Sequence, residues 1–173
     1  MNRIAALTLA ASLAGVLCAQ NTNPVIKEAR GTYDSVKNNI LRAADKMPEE
    51  AYSFKPTPEQ QTFAERIAHI AGQIRPCSSV KGEQKQSDAG SKTAKADLVT
   101  ALKASFDECD AAWDSLTDAN ALEMIQAGRG QRSRLGILIG NTNHDSEMYG
   151  YISVYLRLKG VVPPSSEPRG GRK

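Results

Sequence analysis

Only two histidines occur in the 173-residue chain, His69 and His144. Imidazole holds Zn, Ni, Fe and Cu and moves protons near neutral pH. A single histidine near a core is more often a hydrogen-bonded structural residue, but one on each of two helices suggests a shared ligand, because helical bundles build metal sites from facing helices. Met148 stands four residues after His144. Residues four apart share a helix face, so a second ligand from the same helix would fit there. A thioether is soft: it suits Cu(I) and serves Zn²⁺, Ni²⁺ or Mn²⁺ poorly. Glu147 lies about 60° around the helix from His144, on the other side from Met148, and is either a carboxylate within reach of the same ion or a solvated surface acid. Asp145 is expected to point about 100° away and to be no partner for His144.

Other chemistries find little support. There is no Ser-His-Asp arrangement, no phosphate-cradling glycine loop and no CxxC motif. The net charge of +3 comes from 22 basic and 19 acidic residues that are interspersed rather than clustered, apart from the last few. That pattern supplies no basic face for nucleic acid.

The chain begins MNR and continues with the apolar run IAALTLAASLAGVLC, followed by Ala19 and then the polar QNTNP. The run is too short and too weakly flanked to span a bilayer, and it reads as a signal peptide over residues 1–19, cleaved near Ala19–Gln20. Lipidation of Cys18 and a retained anchor are the alternatives. The expected location is periplasmic or secreted, with no stable membrane insertion after cleavage. Export leaves two cysteines, Cys77 and Cys109. An even count in an oxidising space favours a disulfide; two buried thiols or one reactive thiol are the other readings.

Four segments carry apolar residues at helical spacing, and no alternating strand pattern rivals them. The first covers about residues 24–46, with Pro24 in its first turn and Met47-Pro48 ending it. Thr57-Pro58-Glu59-Gln60 reads as the start of the second, which runs to about Lys81 along Phe63, Ile67, Ile70, Ile74 and Cys77, with a kink or a stop near Gln73 enforced by Pro76. The third spans about residues 91–116 along Leu98, Leu102, Phe106, Cys109, Trp113 and Leu116. A link with a short extended or helical piece around 122–125 follows, loosened by Gly128 and Gly130. The fourth runs from about Arg132 to Lys159 and stops at Gly160. Ile137, Asn141, His144, Met148, Tyr151 and Tyr155 share its inward stripe. This is an all-α four-helix bundle over residues 24–166, with a disordered basic tail at 167–173.

Two stretches carry a resemblance: MPEEAYSFKPTPEQQTFAERIAHIAGQ with the cysteine beyond it, and NTNHDSEMYGYISVYLRLKGVVPPSS. They resemble the DinB-like family, in its exported bacterial branch. The resemblance implies an up-down-down-up bundle, often dimeric, so a homodimer is an expected partner state. It also implies a divalent metal (Zn, Ni or Mn) held by three histidines: one from the second helix, matched by His69, and an HxxxH pair on the fourth. His144 matches the first of that pair. The second falls on Met148, so the chain departs from the pattern at a ligand.

Three readings follow. The site is lost and Met148 fills the gap; or His69, His144 and Glu147 hold a weaker ion; or Met148 ligates and the preference moves to Cu. The resemblance also brings thiol transferases, whose metal presents a low-molecular-weight thiol as thiolate. Such thiols are cytosolic, and an exported chain with a degenerate site fits poorly. The expected function is therefore a non-catalytic or small-molecule-binding role, with a divalent-metal-dependent transferase or hydrolase as the alternative. With the helices placed by the resemblance, Cys77 and Cys109 are expected to form the disulfide.

Overall fold

The computed structural model describes residues 23–168. The expected signal peptide and most of the expected tail lie outside them.

Among the described residues the main elements are five α-helices and one hairpin. Helix α1 (Pro24–Lys46) starts where the Asn23 side chain accepts from the Val25 N–H and ends at Met47, before Pro48. Helix α2 (Phe63–Gly72) starts at Thr62, five residues beyond the expected Thr57-Pro58 signal. Thr62 and Glu65 form a reciprocal capping box, which satisfies two first-turn donors. The Phe63 and Ala64 N–H groups donate to the carbonyls of Phe54 and Tyr52. The incoming chain therefore folds over the start of α2 and takes up the donors a longer helix would have used, while residues 57–60 close only a turn.

The helix breaks at Gln73, as Pro76 requires, and resumes as α3 (Ile74–Val80). Pro76 then occupies the first turn of the new helix, where its missing N–H leaves no bond unmade. Helix α4 (Lys95–Asp114) is shorter than expected at both ends; residues 89–91 form a separate 3-10 turn.

The link expected to be loose is an ordered hairpin. Strand β1 (Met124–Ala127) pairs antiparallel with β2 (Gly130–Ser133), Met124 opposite Ser133 and Ala127 opposite Gly130. Gly128 has φ +62° at the first central position of this two-residue turn, where a side chain would be strained. The glycines were read as loosening the link; here they close it. Ser133 ends the hairpin and caps α5 (Arg134–Leu158) by accepting from the Gly136 N–H.

Contacts fix the topology. Lys95, at the start of α4, donates to the carbonyls of Asp45 and Met47 at the end of α1, while Tyr33 donates to the Phe106 carbonyl further along, so α1 and α4 are antiparallel. Phe63, at the start of α2, packs on Tyr155 near the end of α5, and His69 meets His144 one to two turns on, so α2 and α5 are antiparallel. Glu167 lies beyond the end of α5 at Leu158, on a segment held back against it by the Ser165–Tyr149 bonds. It pairs with Arg42 and Lys46 at the end of α1, so α1 and α5 run the same way. The order is up-down-down-up, with α2 and α3 together making the second rod. Glu167 thus docks on α1 at the point where the basic tail was expected to begin.

The core is aliphatic, led by Ile40, Ile67, Leu98, Leu102, Leu138, Ile152 and Leu156, each fully buried. Cys77 on α3 and Cys109 on α4 form the expected disulfide, with Cα atoms 4.9 Å apart. It ties two parallel rods that only a long crossover connects, and closing that loop adds about 3–4 kcal/mol in the chain-entropy picture.

The buried face of α5 differs from the expected stripe. Leu138, Asn141, Asp145, Met148, Ile152 and Tyr155 are buried at alternating steps of three and four, the spacing of a seam between packed helices. Tyr151, expected inward, is 42% exposed, and His144 lies on the flank of the seam. Asp145, expected to point away, is 2% exposed.

Candidate functional site

Helices α2 and α5 bring the two histidines together. Their Nε2 atoms are 3.0 Å apart, with ring centroids at 5.0 Å. This is hydrogen-bonding distance, so one ring donates Nε2–H and the other accepts. His69 lies at the solvent side, and the His144 side chain is 31% exposed. The pair bridges two rods at their partly exposed flank rather than sitting in the core.

Behind His144 lies Asp145. Its Oδ1 is 3.6 Å from His144 Nδ1, just too long for a hydrogen bond. Both atoms are buried, and neither has another partner. Asp145 Oδ2 accepts from the Asn141 amide at 3.2 Å, one turn earlier on the same seam. A buried carboxylate with one oxygen unsatisfied is costly, and it stands directly behind the histidine pair.

The electrostatics divide the two rings. The Asp145 carboxylate facing Nδ1 holds the His144 pKa above its ordinary value, against the effect of burial. Partial burial, and then the neighbouring His144 and Arg66, hold His69 below its ordinary value. Burial pushes Asp145 up, with the two histidines pulling the other way. A proton entering the pair therefore settles on His144, and His69 remains neutral. With Nδ1–H turned to Asp145, neutral His144 accepts at Nε2 from His69 Nε2–H.

Arg66 stands on α2, one turn before His69. Its guanidinium lies over the Tyr151 ring at 4.6 Å and donates to Gln60 at 2.9 Å, while its buried Nε has no partner. Glu147 is exposed and accepts from the Tyr151 hydroxyl at 3.2 Å; its charge also favours protonated His144. Met148 is buried one turn beyond His144.

The donor set tests the implied three-histidine metal. Two imidazole nitrogens on one ion, each at about 2.0–2.1 Å, lie roughly 3.3 Å apart in tetrahedral geometry. The observed 3.0 Å is within a few tenths of that, so the two rings suit one shared ion. The third place does not. Among the described residues no group of three His, Cys, Asp or Glu side chains is disposed around an ion, and Met148 occupies the remaining HxxxH position. A firmly held Zn²⁺, Ni²⁺ or Mn²⁺ needs a harder third donor than a thioether.

From the sequence Asp145 is expected to point away from His144, Asn141 lies on the inward stripe with no role attached, and Arg66 is not singled out. The signal that would have found Asp145 is the alternation of threes and fours from Leu138 to Tyr155, which passes through it only if a charged residue is allowed on the seam.

Comparison with known proteins places the fold. A family model described as the DinB superfamily matches residues 32–152. A DinB-like protein from Bacillus cereus ATCC 10987 superposes with TM-score 0.69 at 16% identity, over 80% of this chain and 95% of that one. A DinB-like protein from Bacillus subtilis gives TM-score 0.64 at 21% identity, over 82% and 99%. A mycothiol-dependent maleylpyruvate isomerase gives 0.61 at 13% identity, over 72% of this chain and 59% of that one. At these identities the structures speak for the fold alone. No curated protein sequence matches the chain.

Proposed function

The chain belongs to the DinB superfamily, and on that premise we propose that it is an exported DinB-like domain with an altered metal centre, which binds a small ligand at the histidine pair between α2 and α5 without a catalytic divalent ion. One observation carries this reading: His69 and His144 meet Nε2 to Nε2 at 3.0 Å, while a buried methionine, Met148, stands where a third imidazole would complete the set. Export rests on the apolar N-terminal segment, and the Cys77–Cys109 bridge is consistent with an oxidising space. The interspersed charges argue against a nucleic-acid partner.

The test is metal content. Untagged protein, purified and then reconstituted with Zn²⁺, Ni²⁺ and Mn²⁺, is expected to retain each at well below one equivalent after dialysis. Stoichiometric retention of any of them would sink the reading. N-terminal sequencing of the chain from its native host is expected to begin near Gln20; a chain beginning at Met1 counts against export.

A second reading, a divalent-metal-dependent transferase or hydrolase like the family's thiol transferases, has one observation in its favour. Histidines that ligate metals commonly turn their other nitrogen to a carboxylate, and His144 Nδ1 faces Asp145 in that manner. Reconstitution separates the two readings, because only this one needs a held ion. Glu147 is not placed to complete the set, since it faces solvent beside Tyr151.

A further inference from the structure

We infer that the place where α2 and α5 bring the histidines together is a site for a soft monovalent cation, Cu(I) or its stable surrogate Ag(I), held by His69 Nε2, His144 Nε2 and the Met148 thioether. This deepens the preceding reading and rests on it, since a firmly bound hard divalent ion would occupy the same two nitrogens.

The donor set comes first. Imidazole and thioether together favour Cu(I) over Zn²⁺, Ni²⁺ or Mn²⁺. Three donors suffice for such an ion, so the missing third imidazole is no defect for it. The two nitrogens already converge at 3.0 Å, and opening by a few tenths of an ångström admits an ion between them. Met148 lies one turn from His144 and next along the buried seam from Asp145. Its three rotatable bonds give the thioether freedom to turn towards the pair.

Charge comes second. Among the described residues, the acid buried behind the histidines is Asp145, with one oxygen turned to His144 Nδ1. One buried negative charge neutralises one monovalent cation. A divalent ion would leave an excess positive charge near Arg66, one turn before His69 on α2. Glu147 is the other acid on this side, but it lies in solvent, where it counts for little.

The proton balance closes without a co-reactant. The ion displaces the hydrogen shared between the two Nε2 atoms. That hydrogen is replaced, by exchange with water, at His69 Nδ1. Both rings stay neutral, each with Nδ1–H and a free Nε2 lone pair, and no net proton is released.

Thiols do not compete in the folded domain, because Cys77 and Cys109 are bonded to each other. The test uses the full chain carrying Cys18→Ala, with methyl-labelled methionine, titrated with Ag(I) in chloride-free buffer and, anaerobically, with Cu(I) against a chromophoric chelator. One equivalent is expected to bind, to shift the Met148 methyl resonance and both histidine rings, and to leave Met47 and Met124 unmoved. Met148→Leu, which keeps the volume of the side chain, is expected to weaken binding tenfold or more, and His144→Gln to abolish it. No binding, binding that leaves the Met148 methyl unmoved, or an unchanged affinity in Met148→Leu would each overturn the inference. A parallel Zn²⁺ titration keeps the two readings apart. Tight Zn²⁺ binding overturns the altered-centre reading itself, whereas weak Zn²⁺ binding with no Ag(I) binding overturns only the soft-cation site.

Discussion

Two aspartates, on opposite sides of the bundle, show what a satisfied and an unsatisfied carboxylate mean in one fold. Asp110, between α1 and α4, accepts from Lys37 Nζ through both oxygens at 2.8 and 2.9 Å and from the Tyr33 hydroxyl at 2.9 Å, with the Arg30 guanidinium beside it. Its partners are preorganised, because Tyr33 is pinned against Trp113 at 5.6 Å and Phe106 at 6.3 Å. Asp145, between α2 and α5, is more deeply buried and yet has one amide donor and one idle oxygen. The first aspartate is a strut. The second is a buried carboxylate with a single amide donor, set behind the histidine pair, and a perturbed buried acid of this kind is a candidate functional group rather than a strut.

Four experiments sharpen or break that contrast. The largest effect is expected at the α2–α5 side: Met148→His should raise Ni²⁺ or Zn²⁺ affinity by roughly 100-fold, about 2.7 kcal/mol, by completing three imidazoles. Isothermal titration measures it, and no gain would mean that position 148 cannot reach an ion shared by His69 and His144. On the α1–α4 side, Asp110→Ala should cost about 1–2 kcal/mol in urea unfolding, because the Tyr33 hydroxyl and Lys37 lose their acceptor in a partly exposed setting. Asp145→Asn should shift stability by less than about 1 kcal/mol, or raise it, since it removes a buried charge with little to lose. A larger loss there than in Asp110→Ala would reverse the assignment of strut and ligand group.

The smallest effect is in the pH dependence. His144 is held up, so the stability it adds is full below its unfolded pKa and lost as pH rises through its folded one. Asp145, also held up, acts in the same sense. His69 is held down, so its contribution is present above its unfolded pKa and lost on acidification. The opposed terms should flatten the wild-type profile between about pH 5 and 8. Asp145→Asn removes two of them and should make stability fall more steeply on acidification than in the wild type. Parallel profiles would show that Asp145 does not act on His144.

Most of the fold was legible because it depends on spacing. The apolar periodicity marks all four rods, Pro24 and Met47-Pro48 bound the first, and Pro76 breaks the second where a missing N–H must. The start of α2 was misplaced because two capping signals stand five residues apart, and only the chain folding back onto Phe63 and Ala64 decides between them. Of the hairpin, only an extended or helical piece around residues 122–125 is legible, because two four-residue strands of mixed polarity carry almost no period-two signal. At the site, His69 and His144 could be found by residue type. Asp145 could not, because sequence reasoning assigns charged side chains to solvent, and a buried one shows itself only once the packing of α5 against its neighbours is known.

The parallel course of α1 and α5 also governs how the chain can be re-engineered. Most domains have neighbouring termini and accept circular permutation with a short linker. Here the start of α1 and the Glu167 dock on its far end are separated by a 23-residue helix, about 34 Å. A permutant would need a joining segment of at least about ten extended residues along the side of the bundle. Groups attached directly before Asn23 and directly after Glu167 would accordingly start from opposite ends of α1.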